Sequence, residues 1–329
     1  MSRLYRAPIR SLANSTPMEN LLFPSIEPYH HANFAVGDGH ALYYEECGNP
    51  NGTPILFLHG GPGSGCNPRQ RQFFDAQVSR IILFDQRGCG RSTPLGGDAA
   101  NSTRHLVEDI EALRRELGIE RWLVFGGSWG STLALSYANA YAGAVAGLVL
   151  RGIFLGSRAE IEAYIYGLRK PLPQAWASFA GAVAGDDLLA AYHRAIRSND
   201  QSAALRAAKS WNDWDHAVNS LGAAPSPNPI GGAAALARAR VQTHYLVHDC
   251  FLGPGELLAA APSLASIPGH IVQGRQDRVC PPAAAIALAE AWPQCRLEIV
   301  EEGGHSPFTP AMCKPLIAAV VAMQQRMVA

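Results

Sequence analysis

The stretch Trp122-Leu123-Val124-Phe125-Gly126-Gly127-Ser128-Trp129-Gly130 decides the fold. Residues 122–126 are a short apolar run of the kind a buried strand shows, and they lead directly into a G-x-S-x-G turn at 126–130. An apolar segment with helical character follows to about Tyr141. A serine on a tight strand-to-helix turn is held in strained backbone geometry, with its side chain projecting from the sheet. Bulk beside it would clash, which accounts for the glycines two positions to either side. The following helix aims its first N–H groups at the same point, so the Trp129 amide is a candidate donor to a developing oxyanion.

Outward from this turn, the chain alternates strand and helix. Residues 40–46 (HALYYEE) and 54–58 (PILFL) read as strands parted by the turn-rich GNPNGT at 48–53, and 81–85 (IILFD) as a buried parallel strand. Leu106, Ile110, Leu113 and Leu117 recur at i, i+4, i+7 and i+11, which predicts a helix over 104–117, with Gly118 in place to end it. Residues 146–150 make another strand. From 155 to 265 the chain is Ala-rich and helical in pattern, interrupted by a loop at Pro225-Ser226-Pro227-Asn228-Pro229. Alternation then resumes with a strand at 270–273, a helix at 283–291, a strand at 296–300 and a closing helix at 310–326. This order predicts an α/β fold, an open and mostly parallel sheet with helices on both faces. The core is residues 22–154 and 266–329, the inserted helical cap 155–265 and the N-terminal extension 1–21.

A serine hydroxyl needs a base, and the base needs an orienting acid; on such sheets they follow in the order Ser, Asp/Glu, His. Gly274-Arg275-Gln276-Asp277 follows the 270–273 strand and Gly303-Gly304-His305 follows the 296–300 strand. Both lie past carboxyl ends of strands, where these sheets gather their sites. Ser128 is therefore the candidate nucleophile, His305 the base and Asp277 the residue that holds its tautomer. His59-Gly60-Gly61-Pro62-Gly63 follows the 54–58 strand. Its glycines allow close backbone approach, so Gly60 or Gly61 is expected to supply the second oxyanion donor beside Trp129.

Lys+Arg and Asp+Glu both number 27, a net charge of zero that removes the electrostatic case for nucleic acid or an anionic membrane as partner. Charged residues make up 16% and AVILMFWYC residues 48%, the opposite of a disordered composition. The seven cysteines are odd in number, widely spaced and without a CxxC pair, which fits reduced thiols in a cytoplasmic protein. The start carries Arg3, Arg6 and Arg10 without an apolar signal core, a frayed extension rather than a secretory leader. No run of 18 apolar residues marks a membrane span. His244 and His248 are four apart without the Glu of an H-E-x-x-H, so no metal site is expected.

From about Leu22 onward the sequence resembles the prolyl aminopeptidases (proline iminopeptidases) of the α/β-hydrolase superfamily. The resemblance is carried by Glu27-Pro28-Tyr29, residues 44–50 (YEECGNP), 59–63 (HGGPG), 85–92 (DQRGCGRS), 127–133 (GSWGSTL) and 150–154 (LRGIF). It implies an α/β-hydrolase fold with a helical cap, release of an N-terminal residue, typically proline, from a small peptide or amino-acyl amide, and no metal or cofactor. It also implies that Phe154 and Tyr164 line a pyrrolidine pocket and that cap carboxylates take the substrate's free amine. Here the chain departs from the pattern: Asp215 stands where a W-x-x-W-E has Glu, and Gln242 where an R-I-E-N-H-Y has Glu. Losing one charge-assisted hydrogen bond weakens ammonium binding by roughly 1–3 kcal/mol. An amidase or esterase of other amino-acyl conjugates is thus the alternative reading. A non-catalytic binding protein would need a broken triad, and every piece is present. Cys280, close after Asp277, is expected to line the pocket, where thiol reagents would obstruct it.

Overall fold

The computed structural model describes residues 21–221 and 230–328. The loop expected at 225–229 and all but the last residue of the expected extension lie outside the described residues. Eight strands form one sheet: β1 (Pro28–Gly37), β2 (His40–Gly48), β3 (Thr53–Leu58), β4 (Ser79–Phe84), β5 (Trp122–Ser128), β6 (Val145–Ile153), β7 (Gly269–Gly274) and β8 (Cys295–Val300). Their order across the sheet is β1-β2-β4-β3-β5-β6-β7-β8. The β1–β2 and β2–β4 pairs are antiparallel, and all other pairs are parallel.

The apolar runs exist because both faces of the central strands are buried. Leu56, Leu58, Ile82, Phe84, Val124, Leu148, Leu150 and Ile271 face one layer, with α1 (Thr103–Glu116), α2 (Trp129–Ala140) and α9 (Pro282–Ala291). Their sequence neighbours Ile55, Phe57, Ile81, Leu83, Leu123, Phe125, Val149 and Val272 face the other, with Phe73, Phe74 and α10 (Pro310–Val328). Each such side chain contributes roughly 1.5–3 kcal/mol through burial. Helix α1 begins at the Ser102 cap and gives way to Gly118 at φ +62°, as the spacing predicts.

Strand β1 has no counterpart in the sequence reading. It is an edge strand, mostly exposed or half-buried, so PYHHANFAVG carries no apolar run. Its signal lies in the Asp38-Gly39 turn, where positive φ angles of 53° and 78° close a hairpin onto β2.

Between β6 and β7 the described residues are helical: α3 (Arg158–Glu162), α4 (Pro173–Ala180), α5 (Leu188–Ile196), α6 (Gln201–Asn219), α7 (Gly232–Val247) and α8 (Glu256–Ala260). Asp187 and Asp200 cap α5 and α6, each accepting from a backbone N–H three residues on at 3.1 Å. Aromatic packing joins these helices, with Phe179 stacked on Tyr192 at 4.6 Å and on Trp214 at 5.2 Å. The apolar cluster on the α1/α2 face of the sheet continues without a break into them. No helix among the described residues is long and apolar enough to cross a membrane.

Candidate active site

Strand β5 ends at Ser128 and α2 starts at the next residue. Ser128 sits at φ 56°, ψ −128°, a sparsely populated conformation that costs of order 1–3 kcal/mol. Close packing holds it there. A Cβ on Gly126 would run into the Gly130 carbonyl, and one on Gly130 into the Leu58 carbonyl. Ser131 Oγ donates to the Ser128 carbonyl at 2.7 Å and accepts the Phe154 N–H at 3.2 Å, which ties the elbow to the end of β6.

Asp277 and His305 follow β7 and β8, and the fold brings them together. His305 Nδ1 lies 2.8 Å from Asp277 Oδ2. The other carboxylate oxygen accepts the backbone N–H groups of Val279 and Cys280 at 2.9 and 2.8 Å. Burial alone would raise the Asp277 pKa, but His305, the Cys280 N–H and Arg151 outweigh it and hold the carboxyl below its usual range. An ionised carboxylate only accepts, so Nδ1 carries the hydrogen and Nε2 is left as the basic atom. Gly152, at φ +52°, makes room for the pair: a Cβ there would stand 3.1 Å from His305 Cε1. Gln273 braces the acid loop, accepting the Ile153 N–H at 3.1 Å and donating to the Cys280 carbonyl at 2.9 Å.

The glycines after β3 lie directly beside the serine. A Cβ on Gly60 would stand 3.7 Å from that of Ser128, and Gly61 has φ +122°. Two side chains unassigned in the sequence reading fix this loop. His59 Nε2 accepts the Gln86 N–H at 3.0 Å, and Nδ1–H donates to the Gly60 carbonyl at 2.9 Å. Burial pushes the His59 pKa down, so the ring is neutral. Gln86 donates to the His59 carbonyl at 3.0 Å and accepts Trp129 Nε1–H at 2.8 Å, joining the loops after β3 and β4 to the first residue of α2. His59 and Gln86 stand inside HGGPG and DQRGCGRS, so their signal was position within a motif.

Ser128 and His305 open into a cavity of about 360 Å³, within the range of small-molecule sites. Gly60, Gly61, Phe154, Tyr164, Asp215, Gln242 and Cys280 all line it, as do the unforeseen Arg151, Glu160 and Arg238. Arg151 Nη1 lies 3.4 Å from His305 Nε2 and donates to the His305 carbonyl at 3.2 Å. Burial, then Asp277, push the Cys280 thiol far up, so it stays protonated and a poor nucleophile. Asp215 and Gln242 are close but bonded to each other, Gln242 Nε2 donating to Asp215 Oδ1 at 3.2 Å.

A sequence profile describing the α/β hydrolase fold matches residues 53–310. A proline iminopeptidase of Xanthomonas citri is 46% identical over 307 residues, covering 91% of this chain and 97% of that protein. The chain belongs to the proline iminopeptidase family of α/β hydrolases. A member from Arabidopsis thaliana is 42% identical over 308 residues, 91% of this chain and 80% of its own. The crystal structure of a Mycobacterium smegmatis proline iminopeptidase superposes with a TM-score of 0.62 at 20% identity, covering 91% of this chain and 100% of that one. At that identity the likeness speaks for the fold. Family membership accounts for the segments that resembled prolyl aminopeptidases, and it leaves Asp215, Gln242 and Arg238 as features to be explained from this chain's own geometry.

Proposed function

We propose that this chain is a serine aminopeptidase that releases an N-terminal residue, preferably proline, from small peptides or amides through an acyl-enzyme. The observation that carries the reading is the strained Ser128 opening into the same cavity as a His305 whose Nδ1–H is held by Asp277. Ser128 Oγ attacks the carbonyl carbon while His305 Nε2 takes its proton. The amides of Trp129 and of Gly60 or Gly61 receive the oxyanion; one such donor is worth roughly 10²–10³ in kcat. His305 then protonates the leaving amine, and water attacks the ester with His305 again as base. Asp277 stays ionised throughout and stabilises the imidazolium. The chemistry calls on no metal or cofactor.

In this reading residues 155–265 act as a cap that closes the acyl pocket, and Phe154 and Tyr164 form its ring-binding wall. Asp215, Gln242 and Cys280 complete that wall. All seven cysteines are free thiols, which fits a cytoplasmic enzyme. The test is kcat/KM on L-prolyl-4-nitroanilide against L-alanyl-4-nitroanilide, with Ser128→Ala as control. Preference for the prolyl compound, abolished in the variant, is expected. Equal turnover of both, or activity that survives in the variant, contradicts the proposal. One observation favours the second reading, an amidase or esterase of other amino-acyl groups: the buried acid of the pocket is already paired with an arginine.

A further inference from the structure

A charge packed into a protein is tolerated when an opposite charge or hydrogen bonds compensate it. Three arginines packed into this fold follow the rule: Arg71 pairs with Glu45, Arg87 with Asp109 and Arg238 with Asp215, at 2.8, 2.7 and 2.5 Å. Arg151, near the carboxyl end of β6 and on the wall of the active-site cavity, does not. Among the described residues no carboxylate oxygen bonds to it. Nη1 lies 3.4 Å from His305 Nε2 and donates to the His305 carbonyl at 3.2 Å. Nε is buried against Gly127 without a partner. Nη2 has no partner among the described residues and is not buried, which makes it the end of the guanidinium that can meet a ligand. The acid whose charge acts on Arg151 is Asp277, but its oxygens serve His305 Nδ1 and the N–H groups of Val279 and Cys280.

This cation stands where the reaction creates another. Once Ser128 gives up its proton, imidazolium and guanidinium lie side by side and share the one carboxylate of Asp277. A neutral leaving group leaves that excess positive charge in place. An anion brought to Arg151 by the substrate balances it at the stage where the barrier is decided.

Given the aminopeptidase reading, we propose that Arg151 binds the carboxylate of the leaving amino acid, so that dipeptides with a free C-terminus are the preferred substrates. The leaving nitrogen comes to about 3 Å from His305 Nε2 to take its proton. In an α-amino acid the carboxylate carbon is two bonds from that nitrogen, which puts its oxygens within about 4 Å of it. Arg151 Nη1, 3.4 Å from the same Nε2, is within reach of them. Each further residue carries the carboxylate away by up to about 3.5 Å. The guanidinium fork suits a carboxylate better than a point charge does. On the cap side the cavity keeps acceptors for the ammonium of the same substrate. Among the described residues Asp215 Oδ2 accepts only from Arg238 Nη2, and Glu160 Oε1 only from the Leu155 N–H. Acids on the cap and an unpaired cation at the reacting centre match the two charges of a zwitterionic dipeptide.

The experiment measures kcat and KM for proline release at pH 7 from L-prolyl-glycine, L-prolyl-glycinamide, L-prolyl-β-alanine and L-prolyl-glycyl-glycine. All four present the same prolyl group, and the carboxylate is ionised in the three that carry one. The dipeptide is expected to exceed the amide in kcat/KM roughly tenfold or more, the worth of one charged hydrogen bond. The advantage should shrink in the β-alanine compound and vanish in the tripeptide. In Arg151→Met the ratio of dipeptide to amide should fall to about one, and Arg151→Lys should restore part of it. Loss of the bond to the His305 carbonyl slows all four substrates together, so the ratio separates carboxylate binding from a structural role. The wild-type series stands without either variant if these fold poorly. A wild-type ratio near one, a tripeptide used as well as the dipeptide, or a preference that survives in Arg151→Met overturns the inference and leaves the aminopeptidase reading intact. No proline released from any of the four, beside cleavage of simple 4-nitrophenyl esters that Ser128→Ala abolishes, overturns both.

Discussion

Replacing Asp277 by Asn separates the orientation of His305 from its mere presence. The new side chain has one acceptor oxygen and one donor nitrogen, and the loop decides which goes where. The N–H groups of Val279 and Cys280 point at the Oδ1 position from 2.9 and 2.8 Å, so the carbonyl oxygen stays there. The NH2 then faces His305 Nδ1 across the former 2.8 Å hydrogen bond. It must donate, so Nδ1 becomes the acceptor and the ring hydrogen moves to Nε2. That atom can no longer take the proton of Ser128. The cost expected for a wrong-tautomer base is about 10³–10⁴ in kcat, or about 4–5.5 kcal/mol of barrier. The backbone hydrogen bonds survive, so Tm should change little. The assay is kcat and KM at pH 7 with thermal unfolding in parallel. A loss under about tenfold, or one confined to KM, would refute the claim that Asp277 works through the His305 tautomer.

Other perturbations probe other links. A methyl group on Gly130 meets the Leu58 carbonyl, so Gly130→Ala should lose about 1–3 kcal/mol of stability together with most activity; a variant with wild-type Tm and kcat contradicts the close-packed elbow. Cys280 is buried beside the Ser128 hydroxyl, so thiol reagents should inactivate slowly and by obstruction. Cys280→Ser should stay within about tenfold of wild-type activity and escape inhibition, and a variant still inhibited points to another thiol. Glu111 accepts from Arg114, Arg115 and Tyr137, and chiefly the Arg114 hydrogen bonds lower its pKa from 4.5 to about 2. A pKa depressed on folding adds stability above the unfolded value and loses it as pH falls through the folded one. Glu111→Gln should therefore unfold at lower urea at pH 7, by about 1–3 kcal/mol, with the gap closing between pH 4.5 and about 2; a gap constant with pH contradicts the ionic origin.

Most of the sheet was legible because its signal is local. Val124 and Phe125 are apolar since each faces a buried layer, and the turn at 126–130 is glycine-rich since its neighbours leave no room for side chains. Asp277 and His305 could be placed because each follows a strand, and the parallel sheet collects strand ends at one edge. Strand β1 was illegible because an exposed edge strand needs no apolar run. Arg238 was missed for a different reason. Its partner Asp215 lies 23 residues away on another helix, and no period or motif joins the two. Asp215 and Gln242 were located in the pocket, yet their mutual hydrogen bond depends on the angle at which α6 meets α7, which spacing within either helix does not encode.

The central claim is that Ser128 carries the acyl group. The most direct measurement is intact-protein mass after reaction with a fluorophosphonate, followed by fragmentation of the tryptic peptide 122–151. The account predicts one adduct, on Ser128, formed in step with loss of prolyl-amide hydrolysis and absent from Ser128→Ala. An adduct on Cys280 or on another serine, or inactivation without any label on Ser128, would contradict it.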